Sequence, residues 1–234
     1  MSTDHYCCGV AFAPMRETAS ESSEMVSSLL FGESFTCIDS IENTNSALWC
    51  KVKCSHDGYE GWISNEVFEL SLETEPLYRV DKITIVNHGE FKGLNLSPGS
   101  FWFEEHAESK GMNDIDFLNQ FIHAPYLWGG RSVMGIDCSG FTQIYKGFKG
   151  KAISRDASQQ YILGVEVSYE DRLFGDLAFF ESDRGNIHHV GIVLNDDHIM
   201  HASGEVKIDK FKRYGIESIQ TGAPTHRLKG IKRI

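Results

Sequence analysis

The chain has 234 residues, more than one average domain needs. Against 22 lysines and arginines stand 33 aspartates and glutamates, a net charge of −11, which argues against a nucleic-acid partner, whose phosphates select basic surfaces. No apolar run reaches the roughly 18 residues of a membrane span, and the N-terminus lacks the basic start and apolar core of a secretory signal. A cytoplasmic location with reduced thiols is therefore expected.

Up to about Leu72 the sequence reads as short strands separated by turns: GVAFAPMR, SLLFGESFTCIDSI, ALWCKVKC and EGWISNEVFEL, with His56–Gly61 as a hairpin turn. Only Ser23–Leu30 carries a trace of helical period. This pattern predicts a small all-β barrel over residues 1–75. In ALWCKVKC, Leu48, Cys50, Val52 and Cys54 share one face, and Lys51 and Lys53 share the other. Four residues of straight strand span roughly 13 Å, beyond the ~7 Å that a Cys50–Cys54 disulfide would tolerate. The cysteines here read as small apolar core groups. A zinc set of Cys7, Cys8, Cys50 and Cys54 is the alternative, and it matches no usual spacing.

Residues 76–104 read as a linker with room for extra strands: Leu77–Asn87 as a strand pair or a connection, Ser97-Pro98-Gly99-Ser100 as a break. From 105 to 234 the pattern changes to an α+β plan. Ile115, Leu118, Phe121 and Ile122 predict a helix over Asp114–His123. Phe141, Ile144, Tyr145 and Phe148 predict a second, with Asp137 as its N-cap and Gly147 or Gly150 at its end. Three strands follow, Leu177–Phe180, His189–Leu194 and His198–His201.

Cys138 therefore falls in the first turn of a helix. Unpaired N–H groups and the helix dipole favour negative charge there, so a lowered thiol pKa is expected. The same N–H groups could hold an oxyanion. Gly129, Gly130 and Gly135 would let backbone approach a substrate closely. A nucleophilic cysteine needs a base, and the base an orienting group. Each histidine of GNIHHVGIVLNDDHIMHASG (His188, His189, His198, His201) reads alone as a surface or structural residue. Together with Cys138, His189 reads as the base. Gly191, on the same strand face, would let the cysteine helix pack close. A hairpin through Asn195-Asp196-Asp197 would bring His201 beside His189 as its hydrogen-bond acceptor. Protonated, His201 could not accept, so activity is expected to fall below about pH 6.

The run Tyr126-Leu127-Trp128-Gly129-Gly130, then Asp137-Cys138-Ser139-Gly140, FGDLAFF, HHVGIVL and MHASG resembles the NlpC/P60 family of papain-like cysteine peptidases, in order across roughly residues 105–230. The FGESF and DGYEGWI patterns resemble a bacterial SH3 (SH3b) domain. The resemblance implies a papain-like catalytic domain behind an SH3b barrel. It implies Cys138 as nucleophile, His189 as base, His201 as the third, polar member, and Tyr126 near the oxyanion. Substrate-side residues implied by it are Asp137, Ser139, Trp128, Arg155 and Asp156, with Tyr59 and Glu60 on the SH3b side. Helix capping explains Asp137 equally well, turn support Tyr59, and a polar helix start Arg155 and Asp156. The family cleaves γ-D-glutamyl–diamino acid bonds of murein peptides, in SH3b-bearing members with a free N-terminal L-alanine. No metal or cofactor is implied. Murein-derived peptides are the expected partners, and the oligomeric state is open. Three alternatives remain: a cysteine amidase or acyltransferase of the same fold, a non-catalytic SH3b wall-binding protein, and a zinc hydrolase using the histidines and Cys138.

Overall fold

The computed structural model describes residues 5–42, 48–72, 75–87, 89–104, 111–195 and 197–234. The chain forms two compact units, Met1–Phe121 with Leu127–Gly135, and Ile122–Tyr126 with Ile136–Ile234. The division expected at residue 105 falls on residues outside the described set.

In the first unit, strands His5–Cys7, Phe12–Arg16, Met25–Leu30, Ser34–Glu42, Leu48–Cys54 and Glu60–Ser64 form one six-stranded sheet. Its described pairings are antiparallel. The core gathers Cys8, Ala13, Met15, Leu29, Phe35, Cys50, Val52, Cys54 and Ile63. The alternation read from ALWCKVKC holds at Cys50, Val52 and Cys54, which are buried, and at Lys53, which is exposed. It fails at the strand start, where Leu48 is exposed and Trp49 is buried. All six cysteines are free thiols, and Cys8, Cys50 and Cys54 lie in the apolar core. Gly58, at φ 73°, turns the hairpin and donates its N–H to the Cys54 carbonyl. The helical trace at Ser23–Leu30 is overridden: Ser27, Ser28, Leu29 and Leu30 are all buried, as a strand paired with Phe12–Arg16 requires and an amphipathic helix does not allow.

Residues 76–104 carry structure of their own. Tyr78–Arg79 pairs with Phe101–Trp102, and Thr84–Ile85 pairs with Asn95–Leu96. Val80, Val86, Leu96 and Trp102 pack around Phe31. Two short helices belong to this unit, α1 (Asn65–Glu69) and α2 (Asp114–Asn119). The Asn113 side chain caps α2 by accepting from the Asp116 N–H. That helix stops short of the expected His123, which adopts a left-handed φ of 65°.

The segment Leu127–Gly135 belongs to the first unit although it directly precedes the cysteine helix. Arg131 explains why. Its guanidinium makes two bonds to Glu33, at 2.7 and 2.8 Å, and a third to the Ser28 carbonyl at 2.9 Å. Both side chains are buried. The glycine run serves the same docking. Gly129 sits at φ 79°, and a Cβ there would lie 2.5 Å from the Met25 carbonyl oxygen. A Cβ at Gly130 would lie 2.4 Å from the Gly135 carbonyl oxygen. At Gly129 and Gly130 the close approach is to this chain's own backbone, and at Gly135 it is to the Leu127 side chain.

In the second unit, Leu177–Glu181, Ile187–Val193, His198–Ser203, Glu205–Lys212, Gly215–Glu217 and Pro224–Arg233 pair in succession, and the last strand pairs back to Leu177–Glu181, closing a six-stranded barrel. Val165–Val167 adds to its edge. Ala178, Phe180, Val193, Ile199, Phe211, Ile216 and Ile231 form its core. The three strands expected here are present. The three after Ser203 had no counterpart in the sequence reading. Helix α3 (Cys138–Phe148) packs on Ile187–Val193 and His198–Ser203, and α4 (Ala157–Tyr161) on Ile187–Val193.

All four tryptophans, Trp49, Trp62, Trp102 and Trp128, lie in the first unit, so tryptophan fluorescence reads its unfolding alone. Removing one partner of a buried ion pair leaves the other charge stranded, at a cost of about 3–5 kcal/mol. Arg131→Met should lower the unfolding free energy of this unit by that amount in urea. A shift below about 1 kcal/mol would show that the pair is dispensable.

Candidate active site

Asp137 sits at φ −96°, ψ 175° and caps α3, its Oδ1 accepting from the Gly140 N–H at 2.7 Å. Arg155 reaches the same carboxylate with both terminal nitrogens and also donates to Ser139 Oγ at 2.8 Å. Ser139 Oγ in turn donates to Asp137 at 3.2 Å. Arg155 is 2% exposed, so its guanidinium is committed to the helix start. Gln160, from α4, bonds to the Ser139 carbonyl and to Thr142 Oγ1. Asp156 precedes α4 without a side-chain capping bond. These contacts fix the backbone on either side of Cys138.

Cys138 is 5% exposed. Its sulfur accepts from the backbone N–H groups of Ser139 and of Val190, the residue after His189. The nucleophile candidate thus meets the strand that carries the base candidate. The lowered thiol pKa expected from the helix start is not found. Burial, seconded by the Asp137 carboxylate, pushes the Cys138 thiol up to about 12. The two amides and Arg155 oppose this without reversing it. Desolvation of the thiolate outweighs a partial helix charge.

Tyr126 lies close enough to Cys138, Asp137 and Arg155 to feel all three. Burial first, and the two acidic neighbours next, raise its hydroxyl pKa, so the phenol stays a donor.

His189 is 4% exposed and His201 is fully buried. His189 Nε2 and His201 Nδ1 are 2.8 Å apart, so the expected pairing is present. The hairpin that joins their strands passes through Asp196, outside the described residues. Gly191 makes room for this pair rather than for the cysteine helix: a Cβ there would lie 2.9 Å from Ile199 and 3.0 Å from His201. Two further residues complete the cluster. Asp209 Oδ2 lies 3.1 Å from His201 Nε2. The His226 ring stacks on His189, with centroids 4.2 Å apart and planes at 25°.

Burial is the main cause that lowers the pKa of all three imidazoles: well below the usual range for His189, below it for His201 despite Asp209, and to about 4 for His226. The loss of function expected near pH 6 for an ordinary histidine therefore moves to lower pH.

Ring nitrogens of His189, His201 and His226 lie within 4.8 Å of one another, a grouping that could hold a cation. However, two imidazole nitrogens around tetrahedral zinc keep ~3.3 Å apart at bond lengths near 2.0–2.1 Å. The 2.8 Å between His189 and His201 is a hydrogen-bond distance instead. Among the described residues a second such grouping is Cys54, His56 and Asp57, and neither includes Cys138.

Tyr59, Glu60 and Trp128 belong to the first unit. Tyr59 packs on that unit's core and donates its backbone N–H to Asp57 at 2.9 Å. Glu60 pairs with Lys51 at 3.1 Å. Trp128 is 57% exposed.

Residues 123–232 match the NlpC/P60 family, and residues 15–66 match the bacterial dipeptidyl-peptidase Sh3 domain. A gamma-D-glutamyl-L-lysine dipeptidyl-peptidase of Bacillus cereus is 35% identical over 150 residues, 57% of this chain and 43% of that one. The protein of the same name from Bacillus subtilis is 45% identical over 86 residues, 35% of this chain and 28% of that one. The chain thus spans less than half the length of these two relatives. The crystal structure of an NlpC/P60 family protein from Bacillus cereus has the same fold, with a TM-score of 0.77 at 20% identity, over 98% of this chain and 99% of that one.

An imidazole whose pKa is lower folded than unfolded binds more protons in the unfolded chain, so stability falls as pH drops below the unfolded value. For His226 that window runs from about 6.5 down to about 4. Calorimetry should show the second unit's Tm falling across it. His226→Phe, which keeps a ring over His189, should flatten the slope. Equal slopes in the two proteins would contradict this.

Proposed function

We propose that this chain, whose residues 123–232 match the NlpC/P60 family and residues 15–66 the bacterial dipeptidyl-peptidase Sh3 domain, is a cysteine peptidase of murein peptides, cleaving the γ-D-glutamyl bond ahead of a diamino acid. The observation that carries the reading is the meeting of Cys138, on the first turn of α3, with the strand that begins the buried His189–His201 pair. The names of the two Bacillus relatives support the substrate class.

In the resting enzyme the thiol holds its proton and both imidazoles are neutral. His189 takes the Cys138 proton as the sulfur attacks the γ-glutamyl carbonyl. The Cys138 N–H and the Tyr126 hydroxyl donate to the oxyanion; one such donor is typically worth ~3 kcal/mol. Protonated His189 then gives its proton to the leaving amine of the diamino acid. A thioester remains on Cys138. A water, activated by His189, hydrolyses it and restores the thiol. Asp137 and Ser139 offer acceptors to the free amine of an N-terminal L-alanine.

Incubation with L-Ala-γ-D-Glu-L-lysine and its diaminopimelate analogue should release L-Ala-γ-D-Glu, identified by mass. N-acetylation should block cleavage; cleavage of both forms alike would remove the amine requirement. Cys138→Ala should abolish turnover, and EDTA should leave it intact. If neither peptide is cleaved while Cys138 reacts with iodoacetamide, the γ-glutamyl reading fails.

The acid limb of kcat/KM reports protonation of the free enzyme's base. Since burial holds His189 and His201 below about 6.5, activity should persist through pH 6 and fall only at lower pH. An acid limb centred at pH 6.5 or above would contradict a buried neutral base.

A further inference from the structure

We infer that Asp209 is a positioning residue that fixes the tautomers of both histidines, making His201 an acceptor and leaving His189 Nδ1 bare to take a proton. The inference rests on the peptidase reading above and concerns how its base is held.

Asp209 is 4% exposed and has two polar contacts on its two oxygens. Oδ1 accepts from the Ile219 N–H at 2.8 Å, and Oδ2 lies 3.1 Å from His201 Nε2. An ionised carboxylate can only accept, so His201 Nε2 carries a hydrogen. A neutral imidazole has one N–H, so His201 Nδ1 presents a lone pair. That lone pair lies 2.8 Å from His189 Nε2, which must therefore be the donor. His189 then has its hydrogen on Nε2 and a lone pair on Nδ1.

Nδ1 is the ring nitrogen nearer the residue's own backbone. The Cys138 sulfur accepts from the Val190 amide, at the peptide that joins His189 to Val190. Nε2 is engaged by His201, so Nδ1 is the ring nitrogen left to take a proton. Strand geometry keeps the chain of contacts in line. Asp209 pairs across the ladder with Ile199, and His201 with Lys207, so carboxylate and imidazole meet diagonally on one face of the barrel wall.

Asparagine at position 209 has the same shape but a different code. The Ile219 N–H requires an acceptor, so the amide must turn its oxygen to Ile219 and its NH2 to His201. His201 Nε2 must then accept, and its hydrogen moves to Nδ1. His189 Nε2 becomes the acceptor in turn, and its hydrogen moves to Nδ1, which can then no longer take a proton. A single isosteric change would install the wrong tautomer at both rings.

The test uses the full-length chain and its Asp209→Asn variant. Long-range 1H–15N spectra of the imidazoles assign the tautomers, and steady-state kinetics on L-Ala-γ-D-Glu-L-lysine give kcat and KM. The expected result is Nε2–H on both His189 and His201 in the wild type, and Nδ1–H on both in the variant. With it, kcat should fall by about 10²–10⁴-fold at nearly unchanged KM, the range seen when a base is held in the wrong tautomer. A loss of kcat with unchanged tautomers would mark a merely structural role and overturn the inference. So would a switch of tautomers without loss of kcat. Should the variant fail to fold, the wild-type spectrum still decides: Nδ1–H on His189 overturns the assignment. A wild type that shows Nε2–H on both rings but cleaves no peptide would defeat the peptidase reading and leave the tautomer assignment standing.

Discussion

Two imidazoles share one hydrogen bond in the wall of a closed barrel, both shielded from water, and most of the site's chemistry follows from that contact. Neither ring can take a proton cheaply, because charge there would be desolvated and would face the other ring. Cys138 is buried beside a carboxylate and so resists ionising too. The resting site is therefore neutral along the path a proton would travel. The fixed charges lie one contact away, in the Asp137–Arg155 pair and on the Asp209 carboxylate beside the neutral His201. Such a site develops charge only when a carbonyl arrives to share it.

This inverts the simplest account of a helix-start cysteine. Partial positive charge at the first turn does act, through the Ser139 amide, and the Val190 amide adds a second donor. Both work against the loss of water and the nearby Asp137 carboxylate. That carboxylate caps the helix and is bound by Arg155, so the residue that builds the turn also raises the thiol. Fixing the nucleophile in place and easing its ionisation are separate tasks, and here the geometry favours the first. The second is left to His189 at the moment of attack.

Much of the site was legible because its signals are local. The DCSG turn, the helix after it and the twelve-residue spacing from His189 to His201 each depend on near neighbours in sequence. Asp209 was not legible, for a reason visible in EVKIDKFK. There the barrel face takes Asp209 and Phe211 while Ile208 points outward. An acid inside and an isoleucine outside reverse the hydrophobic code on which strand reading relies. His226 was hidden by distance, since only closure of the barrel by Pro224–Arg233 brings it onto His189. The glycines before Cys138 were found for a substrate's approach, and their tight contacts lie within this chain, to backbone at Gly129 and Gly130 and to the Leu127 side chain at Gly135. Met25–Leu30 failed as a helix because pairing with a neighbouring strand outweighs a weak local period.

Three arginine–carboxylate pairs tie down segments that ladders alone do not hold. Arg131 holds the irregular segment Leu127–Gly135 to Glu33, Arg155 holds the start of α3 through Asp137, and Arg233 grips Asp176 in the turn before Leu177. Hydrophobic burial would hold these segments nearly as well in many arrangements, since apolar contact has little direction. A guanidinium fork on a carboxylate accepts few. Buried pairs add little net stability over apolar packing, so their value here is geometric. Two of the three flank Cys138 in sequence, and the distances that matter for proton transfer are tenths of an ångström. Such tolerances are beyond what an irregular loop, held by dispersion alone, would keep.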